Sequence, residues 1–586
     1  MPTGKELFEA GKADLRAVER LAAVTAPDGD FPIVEQEIRG INYRTFRDAP
    51  PTMAAYYELG AAHGDKEFLV YEGERYSFGE VTARAKKLSH RLVKDFGITK
   101  DTKVAIAMRN FPEWFFAFMA ITGAGAVAVP VNAWWTEDEF DYGLNDCGAK
   151  LVFCDGQRAG VLEGLRKKLG LTLISARADQ RADGVIEFNS LLDGDEETAF
   201  PDLGGGTDDD VLILYTSGST GNPKGAVSTH RAILSSLMSW AIGGMVANAV
   251  KAEDEAIEAT ARGETPADPD AEAAQMISLV AVPMFHVTGS HAIFLVSIIL
   301  GRKLVLMYKW DPTRALELIQ EEKVTNFLGV PTMSWELTQH PDAAKYDTSS
   351  LVELSGGGAA RPPEHVKKIT EAFPDAAPAQ GYGLTETNAI GCTNGGYNYL
   401  LKPASTGRPN SPLIEMKCAD ENGNAVPTGE VGEVMIKTPS NIRCYWNNET
   451  ATRAAIDEEG FLRTGDVGKM DEDGFLYIVD RIKDIVVRGG ENISCIEVES
   501  ALYEHDAVSE AAVFGLPDER LGESLTAVVM PKPGQTVSAE ELMAHVAERL
   551  AKFKVPARID LIDEPLPRGA TGKIFKRQLK EERIDS

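Results

Sequence analysis

Residues 215–230 read YTSGSTGNPKGAVSTH, which packs two hydroxyl-rich steps, three glycines, a proline and a lysine into one turn of chain. Such a loop makes no core, because Ser, Thr and Gly bury almost no apolar surface and Gly loses the most backbone freedom on folding. It offers instead unpaired backbone N–H groups, clustered hydroxyls and the cation of Lys224, which together suit a polyphosphate. Upstream, VLILY (211–215) reads as a short buried strand, and downstream Ser228 or Thr229 stands where it would cap a helix beginning near HRAILSSLMSWAI. Strand, glycine-rich loop and helix make a phosphate-binding context. A Walker A loop needs Gly directly before its Lys and Ser or Thr directly after. Here Pro223 precedes Lys224 and Gly225 follows it, which disfavours an ordinary P-loop NTPase.

The chain has 586 residues, 44% hydrophobic and 25% charged, the composition of a globular protein large enough for more than one core. Its formal net charge is −29, from 60 Lys plus Arg against 89 Asp plus Glu. General affinity for nucleic acid or anionic membrane is therefore not expected, and an anionic ligand needs a local site. The six cysteines (147, 154, 392, 418, 444 and 495) are scattered without a metal-type pair and read as free thiols of a reducing, cytoplasmic compartment. The N-terminal MPTGKELFEAGKADLRAVERL lacks the apolar run of a secretory signal and reads as a charged amphipathic helix. The most apolar stretch, WFFAFMAITGAGAVAVPV (114–131), is divided by Gly123, Gly125 and Pro130. It reads as a buried helix followed by a buried strand, so no integral membrane segment is expected.

Strand-like runs such as KVAIAM, LVFCD, LVAVPM and KLVLM alternate with helical segments from about residue 48 to 400, which argues for an α/β architecture. After FLYIVD (475–480) the pattern changes. The expected organisation is a large, multi-subdomain N-terminal α/β domain (1–482) and a small, mobile α+β C-terminal domain (483–586), with the boundary at Lys483. In the small domain, Ser494 with Glu497 and Ser538 with Glu541 have the spacing of capping boxes. Residues 247–275 are acidic, Ala-rich and broken by Pro266 and Pro269, and are expected to form a solvated surface insertion, with a lid or partner site as the alternative.

Six more stretches follow the opening loop in order: VPMFHVTG (282–289), SGGGAA (355–360), GYGLTET (381–387), RTGD (463–466), DRIKDIVVRGGENI (480–493) and PRGATGKI (567–574). Together the seven resemble the adenylate-forming superfamily of acyl-CoA synthetases, luciferases and peptide-synthetase adenylation domains, over nearly the whole chain from about Tyr57 to Leu579. Among these the chain is most similar to fatty acyl-CoA synthetases. The resemblance implies two half-reactions. A carboxylate first attacks the α-phosphorus of ATP, giving acyl-AMP and pyrophosphate, and a thiol then displaces AMP. Because the first step sets an anion against a polyanion, the protein's task is positioning and charge neutralisation.

By that resemblance Thr216, Ser217, Gly218, Ser219, Thr220 and Lys224 embrace the β- and γ-phosphates. Glu386 supplies a hard oxygen for Mg²⁺, with Thr216 beside the metal and Thr385 near the phosphates. Tyr382, next to Gly383, stacks on adenine, while Gly356, Gly357 and Gly358 let the backbone approach the base. Asp466 takes both ribose hydroxyls, a role for two acceptor oxygens facing a vicinal diol, and Arg481 is its ribose or phosphate partner. Lys573 is the implied catalytic residue of the first step, an ammonium between the attacking carboxylate and the α-phosphate. The small domain is implied to rotate about a hinge at Lys483 between the half-reactions. Gly489 and Gly490 then line the pantetheine tunnel, and Lys552 or Lys554 meets the phosphates of CoA. His286 is either a catalytic-site group near the acyl carbonyl or a packed histidine before a glycine turn. One departure is Cys495, where many relatives carry Pro, which is favoured but replaceable at a first helical position.

The expected activity is that of an ATP-dependent medium- to long-chain fatty acid:CoA ligase using ATP, Mg²⁺ and coenzyme A. The chain-length reading rests on VNAWWTEDEF, PMFHVTGSHA and YGLTETN, which resemble fatty acyl-CoA synthetases more than aryl-acid ligases. An aryl or branched-chain carboxylate:CoA ligase is the alternative within the class. A non-catalytic acyl- or nucleotide-binding protein is the alternative outside it, and the presence of Glu386, Asp466, Arg481 and Lys573 weighs against it. Homodimers are frequent among fatty-acid members of the family, so a homodimer is among the expectations.

Overall fold

Two large sheets, built where the sequence alternates apolar strands with helices, carry most of the chain. The computed structural model describes residues 2–216, 222–268, 274–569 and 572–584. An eight-stranded sheet has a parallel centre of Lys103–Ala107, Val127–Pro130, Leu151–Asp155 and Thr172–Ala176. Asp210–Thr216 joins it in parallel, and the antiparallel strands Lys224–Thr229 and Cys444–Tyr445 close that edge. A nine-stranded sheet contains the parallel run Glu67–Tyr71, Lys303–Leu306, Ile277–Val280, Asn326–Gly329, Glu353–Gly357 and Ala377–Gly383. Strands that are apolar on both faces suit parallel sheets covered by helices. A four-stranded antiparallel sheet ends at Leu476–Arg481, and the next strand, Val486–Arg488, belongs to a separate five-stranded sheet. That sheet packs with the helices Cys495–Tyr503, Ala539–Ala547 and Lys576–Ile584. The fold is thus mixed α/β, with a large N-terminal and a small C-terminal part.

The apolar stretch forms the helix Pro112–Gly123 and the strand Val127–Pro130, both buried throughout. Trp114, Phe115, Phe118 and Phe68 surround Phe294 at ring-centroid distances of 6.1, 4.7, 6.0 and 6.2 Å, an aromatic cluster at the centre of the core. Phe294 lies on a π-helical turn, Thr288–Leu295, a rare geometry that concentrates at functional sites.

Several expectations change in the structure. The strand–loop–helix around the opening loop gains a second strand, Lys224–Thr229, because 224–229 pairs back on 210–216 before the helix begins. Thr229 then caps that helix, its Oγ1 accepting from the Ala232 N–H at 3.2 Å. The surface insertion is helical as far as Ala261, as one 32-residue helix, His230–Ala261. Its Ala content favours helix, the i,i+4 pairs Lys251–Glu255 and Glu258–Arg262 add to it, and Asp254 binds Arg16 at 2.7 Å. This helix is long and apolar enough to cross a membrane by length and composition, but 56% of its apolar window is buried in protein, as in a core helix. The N-terminus forms two short helices, Gly4–Glu9 and Arg16–Val24, separated at Gly11 with its φ of +67°. Only half of each expected capping box forms: Ser494 and Ser538 accept the N–H of Glu497 and Glu541, while Glu497 pairs with Lys554 and Glu541 faces His505. All six cysteines are free, five of them buried and Cys444 half-buried.

Candidate active site

The parallel strands of the nine-stranded sheet end together, which is where open α/β sheets bind ligands. Ile277–Val280 leads to His286, Glu353–Gly357 to Gly358, and Ala377–Gly383 to a 3₁₀ turn, Thr385–Thr387. That turn ends in two left-handed residues, Asn388 (φ 52°) and Ala389 (φ 69°). Buried Asn388 is held from three sides. Its Oδ1 accepts from Ser228 Oγ at 3.0 Å, its Nδ2 donates to the Ser440 carbonyl at 2.8 Å, and its carbonyl accepts from Ser236 Oγ at 2.7 Å. The motif loop is thereby fixed to the hairpin strand Lys224–Thr229 and to the long helix behind it. A Cβ at Gly356 would stand 2.4 Å from Arg361 Nη2 and 2.6 Å from Gln380 Oε1, so a larger residue would displace these two buried side chains. Gly357 ends the same strand, and the nearest atom to a Cβ on Gly358 (φ +75°) would be Lys573 Cε, at 3.8 Å.

Two carboxylates face this cleft, each with an aromatic hydroxyl. Asp466 is buried, with Oδ2 accepting from Tyr382 Oη at 2.8 Å and Oδ1 paired with Arg481 Nε at 2.9 Å. The two charged residues are cross-strand partners, which sets their meeting. Burial, then the charge of Asp466, raises the Tyr382 hydroxyl well above its ordinary value, so it remains a donor. Glu386 Oε1 accepts from Tyr445 Oη at 2.7 Å, and its carbonyl accepts the Ile442 N–H at 2.9 Å. On the other side, Lys224 Nζ lies 4.9 Å from the centre of the Tyr445 ring, within cation–π reach. Thr216 ends its strand directly opposite Lys224, and its Oγ1 donates to the Lys224 carbonyl at 3.4 Å. Tyr445 therefore bridges the Asp210–Thr216/Lys224–Thr229 hairpin and the Glu386 turn. Ser217, Gly218, Ser219 and Thr220 lie outside the described residues.

Lys573 reaches this cleft from the small C-terminal part. The Gly569 N–H donates to its carbonyl at 2.9 Å, and Arg568 braces the same loop by bonding the Gly572 carbonyl at 2.9 Å and Glu510 at 2.8 Å. Lys573 is exposed as a residue, yet desolvation of its ammonium, followed by the charge of Arg481, pushes it down to about 8; Asp466 and Glu386 act in the opposite direction. His286 also feels Lys573. Burial first, then Lys573 and His291, push its imidazole down to about 3, so it is neutral at physiological pH. The Thr288 N–H donates to its Nδ1 at 3.3 Å, which leaves the proton on Nε2.

The structure thus brings together Thr216, Lys224, His286, Gly356–358, Tyr382, Gly383, Thr385, Glu386, Asp466, Arg481 and Lys573. It does not bring in Gly489 and Gly490. These occupy the exposed tip of the hairpin Val486–Arg488/Glu491–Ile493 at φ 61° and 90°, with the Gly489 N–H bonded to the Leu521 carbonyl. Lys483 is exposed in the turn after Arg481. Sequence reasoning missed Tyr445, which no motif marks and which reaches the site through strand pairing opposite Ala226.

Comparison with known families then gives the cleft its context. The AMP-binding enzyme model matches residues 57–446, and the model of the AMP-binding enzyme C-terminal domain matches residues 497–573. The chain belongs to the AMP-binding enzyme family. As a member it is an AMP-forming acid–thiol ligase. This AMP-binding enzyme is 33% identical over 561 residues to a long-chain-fatty-acid–CoA ligase of Bacillus subtilis (strain 168), covering 90% of this chain and 94% of that one. It is 32% identical over 508 residues to a feruloyl-CoA synthase of an Amycolatopsis species, covering 87% and 94%. It superimposes on ATP-bound MatB from Rhodopseudomonas palustris with a TM-score of 0.77 at 28% identity, covering 90% of this chain and 99% of that one.

Proposed function

We propose that this AMP-binding enzyme is an ATP-dependent medium- to long-chain fatty acid:CoA ligase that works through acyl-AMP and releases pyrophosphate. The observation that carries this reading is the convergence of Lys573, from one part of the chain, on Asp466, Arg481 and Glu386 from the other. That arrangement suits the first half-reaction. Asp466 holds the ribose diol, Tyr382 and the glycines at 356–358 flank the base, and Thr216 with Lys224 and the loop at 217–220 meet the β- and γ-phosphates. Lys573 offsets the charge that builds between the acyl carboxylate and the α-phosphate. His286, neutral and protonated on Nε2, can donate to an acyl oxygen without adding charge.

Among the described residues no cluster of three or more His, Cys, Asp or Glu side chains could hold a metal ion. Mg²⁺ in nucleotide sites needs only one or two carboxylates, with phosphate oxygens and waters completing the shell. Glu386 fits that demand, since Tyr445 occupies Oε1 and orients Oε2. When bound there, Mg²⁺ would neutralise phosphate charge.

For the second half-reaction, the small domain (483–586) turns about Lys483 and brings Gly489 and Gly490 to the pantetheine. Half-buried Phe285 and buried Val287, just before the π-helical turn, and half-buried Ala292 on it supply an apolar wall for an acyl chain. The Bacillus relative supports the fatty-acid reading. The Amycolatopsis relative supports an aryl acid as the second reading. Pyrophosphate release from ATP·Mg²⁺ across fatty, aryl and short acids, with and without CoA, separates them. A CoA-dependent peak on an aliphatic chain is the expected result. A peak on aryl acids selects the second reading, and silence across the panel overturns both.

A further inference from the structure

The joint between the two parts holds a carboxylate that the steps above leave unused. Asp480, on the strand Leu476–Arg481, is 2% exposed. Its Oδ2 accepts the N–H groups of Cys495 at 2.5 Å and Ile496 at 3.4 Å, the first two residues of the helix Cys495–Tyr503. Its Oδ1 accepts the Arg481 N–H at 2.8 Å. Ser494 completes the cap, with Oγ accepting the Glu497 N–H at 3.1 Å and donating to the Val479 carbonyl at 2.7 Å. The first three N–H groups of that helix are therefore all satisfied, two of them by a carboxylate outside the small sheet. The positive helix N-terminus favours that negative charge.

A second charge faces Asp480 from behind the helix. Burial pushes the Asp480 carboxyl above its ordinary value, and Lys576, paired with Glu499 at 2.6 Å, works against that rise. Glu499 also accepts the Val513 N–H at 2.8 Å, which fixes the pair to the small sheet. Lys576 opens the helix Lys576–Ile584, three residues after Lys573. One carboxylate thus touches the start of one small-domain helix and faces the ammonium that starts the segment following Lys573.

We propose that Asp480 is a positioning residue that latches the small domain in the orientation in which Lys573 enters the cleft, and that the Cys495 N–H is this chain's reinforcement of the latch. The proposal rests on the two-orientation reading above. Asp480 stays with its own sheet, paired opposite Val467, so a turn about Lys483 carries Cys495 and Ile496 away and leaves the carboxylate to water. A proline at position 495 has no N–H to give. The site would otherwise accept one: Ser494 already has the extended ψ (121°) that precedes proline, and the first helical position is where proline is favoured. Cys495→Pro therefore removes one bond of the latch and leaves the helix intact.

The test measures the half-reactions separately on the full chain. Adenylation is followed as pyrophosphate release with an acid that the unsubstituted protein turns over, and thioester formation is followed from supplied acyl-AMP and CoA. Asp480→Asn is expected to slow adenylation about tenfold and Cys495→Pro about threefold, with thioester formation equal or faster. Equal loss in both half-reactions, or no loss in either, overturns the latch. A second measurement needs no turnover: spin labels on exposed K367C and E540C report the distance between the two parts, and Asp480→Asn is expected to add a second population. An unchanged distribution overturns the proposal. Absence of pyrophosphate release from the unsubstituted protein counts against the proposed function, and the distance measurement then decides the latch alone.

Discussion

Replacing Lys573 with Met separates the two half-reactions and tests the pH behaviour of the cleft together. With its ammonium pushed down to about 8, Lys573 is about 90% protonated at pH 7 and about 10% at pH 9. If that ammonium offsets the charge of the first step, kcat/KM for adenylation falls about tenfold between those values, since kcat/KM reports the free enzyme. Bound ATP favours the ammonium, so the limb in kcat lies at higher pH. Lys573→Met removes the limb and costs ~3–4 kcal/mol of transition-state stabilisation, or roughly 100- to 1000-fold in rate. Thioester formation from supplied acyl-AMP stays within about twofold. Stability moves the other way. The folded chain holds this proton less tightly than the unfolded chain, so the site opposes folding below about 8 and the penalty fades as pH rises toward the ordinary lysine value. The Met variant is therefore no less stable at pH 7. The assay is pyrophosphate release over pH 6.5–9.5 beside thioester formation and a urea melt. Equal loss in both half-reactions, or an alkaline limb that survives in the Met variant, refutes the reasoning.

Asp466→Asn leaves Arg481 without its carboxylate and weakens the grip on a ribose diol; the KM for ATP rises about tenfold or more in initial-rate measurements. Tyr445→Phe deletes the bond that orients Glu386, so the Mg²⁺ requirement of adenylation rises about fivefold in a magnesium titration, equivalent to ~1 kcal/mol. Phe294→Ala empties the centre of the aromatic cluster and lowers unfolding free energy by about 3–5 kcal/mol in urea, and a loss under about 1 kcal/mol would show that the cluster collapses to fill the gap.

The sequence showed most clearly those features that repeat or cap. Thr229, the buried stretch 114–131 and the alternation of strands with helices are local signals of length and periodicity. The pairing of Lys224–Thr229 back onto Asp210–Thr216 was not legible, because glycine, proline and serine give no periodicity to read. The helical course of 247–261 was hidden by its charge, and the contact that steadies it, Arg16 with Asp254, spans more than two hundred residues. Asp466, Arg481, Glu386 and Lys573 stood out through motif resemblance, whereas Tyr445 in the cleft and Asp480 at the joint have hydrogen-bond partners that only the fold assembles. Their roles come from hydrogen bonds across strands and joints, and a linear pattern carries no trace of those.

The buried cysteines bear on redox chemistry. An enzyme whose substrate is a thiol works among disulfides of that thiol, and exchange with them begins with attack by a thiolate. Burial pushes Cys147 and Cys418 up to about 11 and Cys154, Cys392 and Cys495 further still, and it raises half-buried Cys444 as well. A thiol at 11 is ionised to about one part in ten thousand at neutral pH. The five buried thiols are thus poor nucleophiles toward mixed disulfides of the substrate thiol.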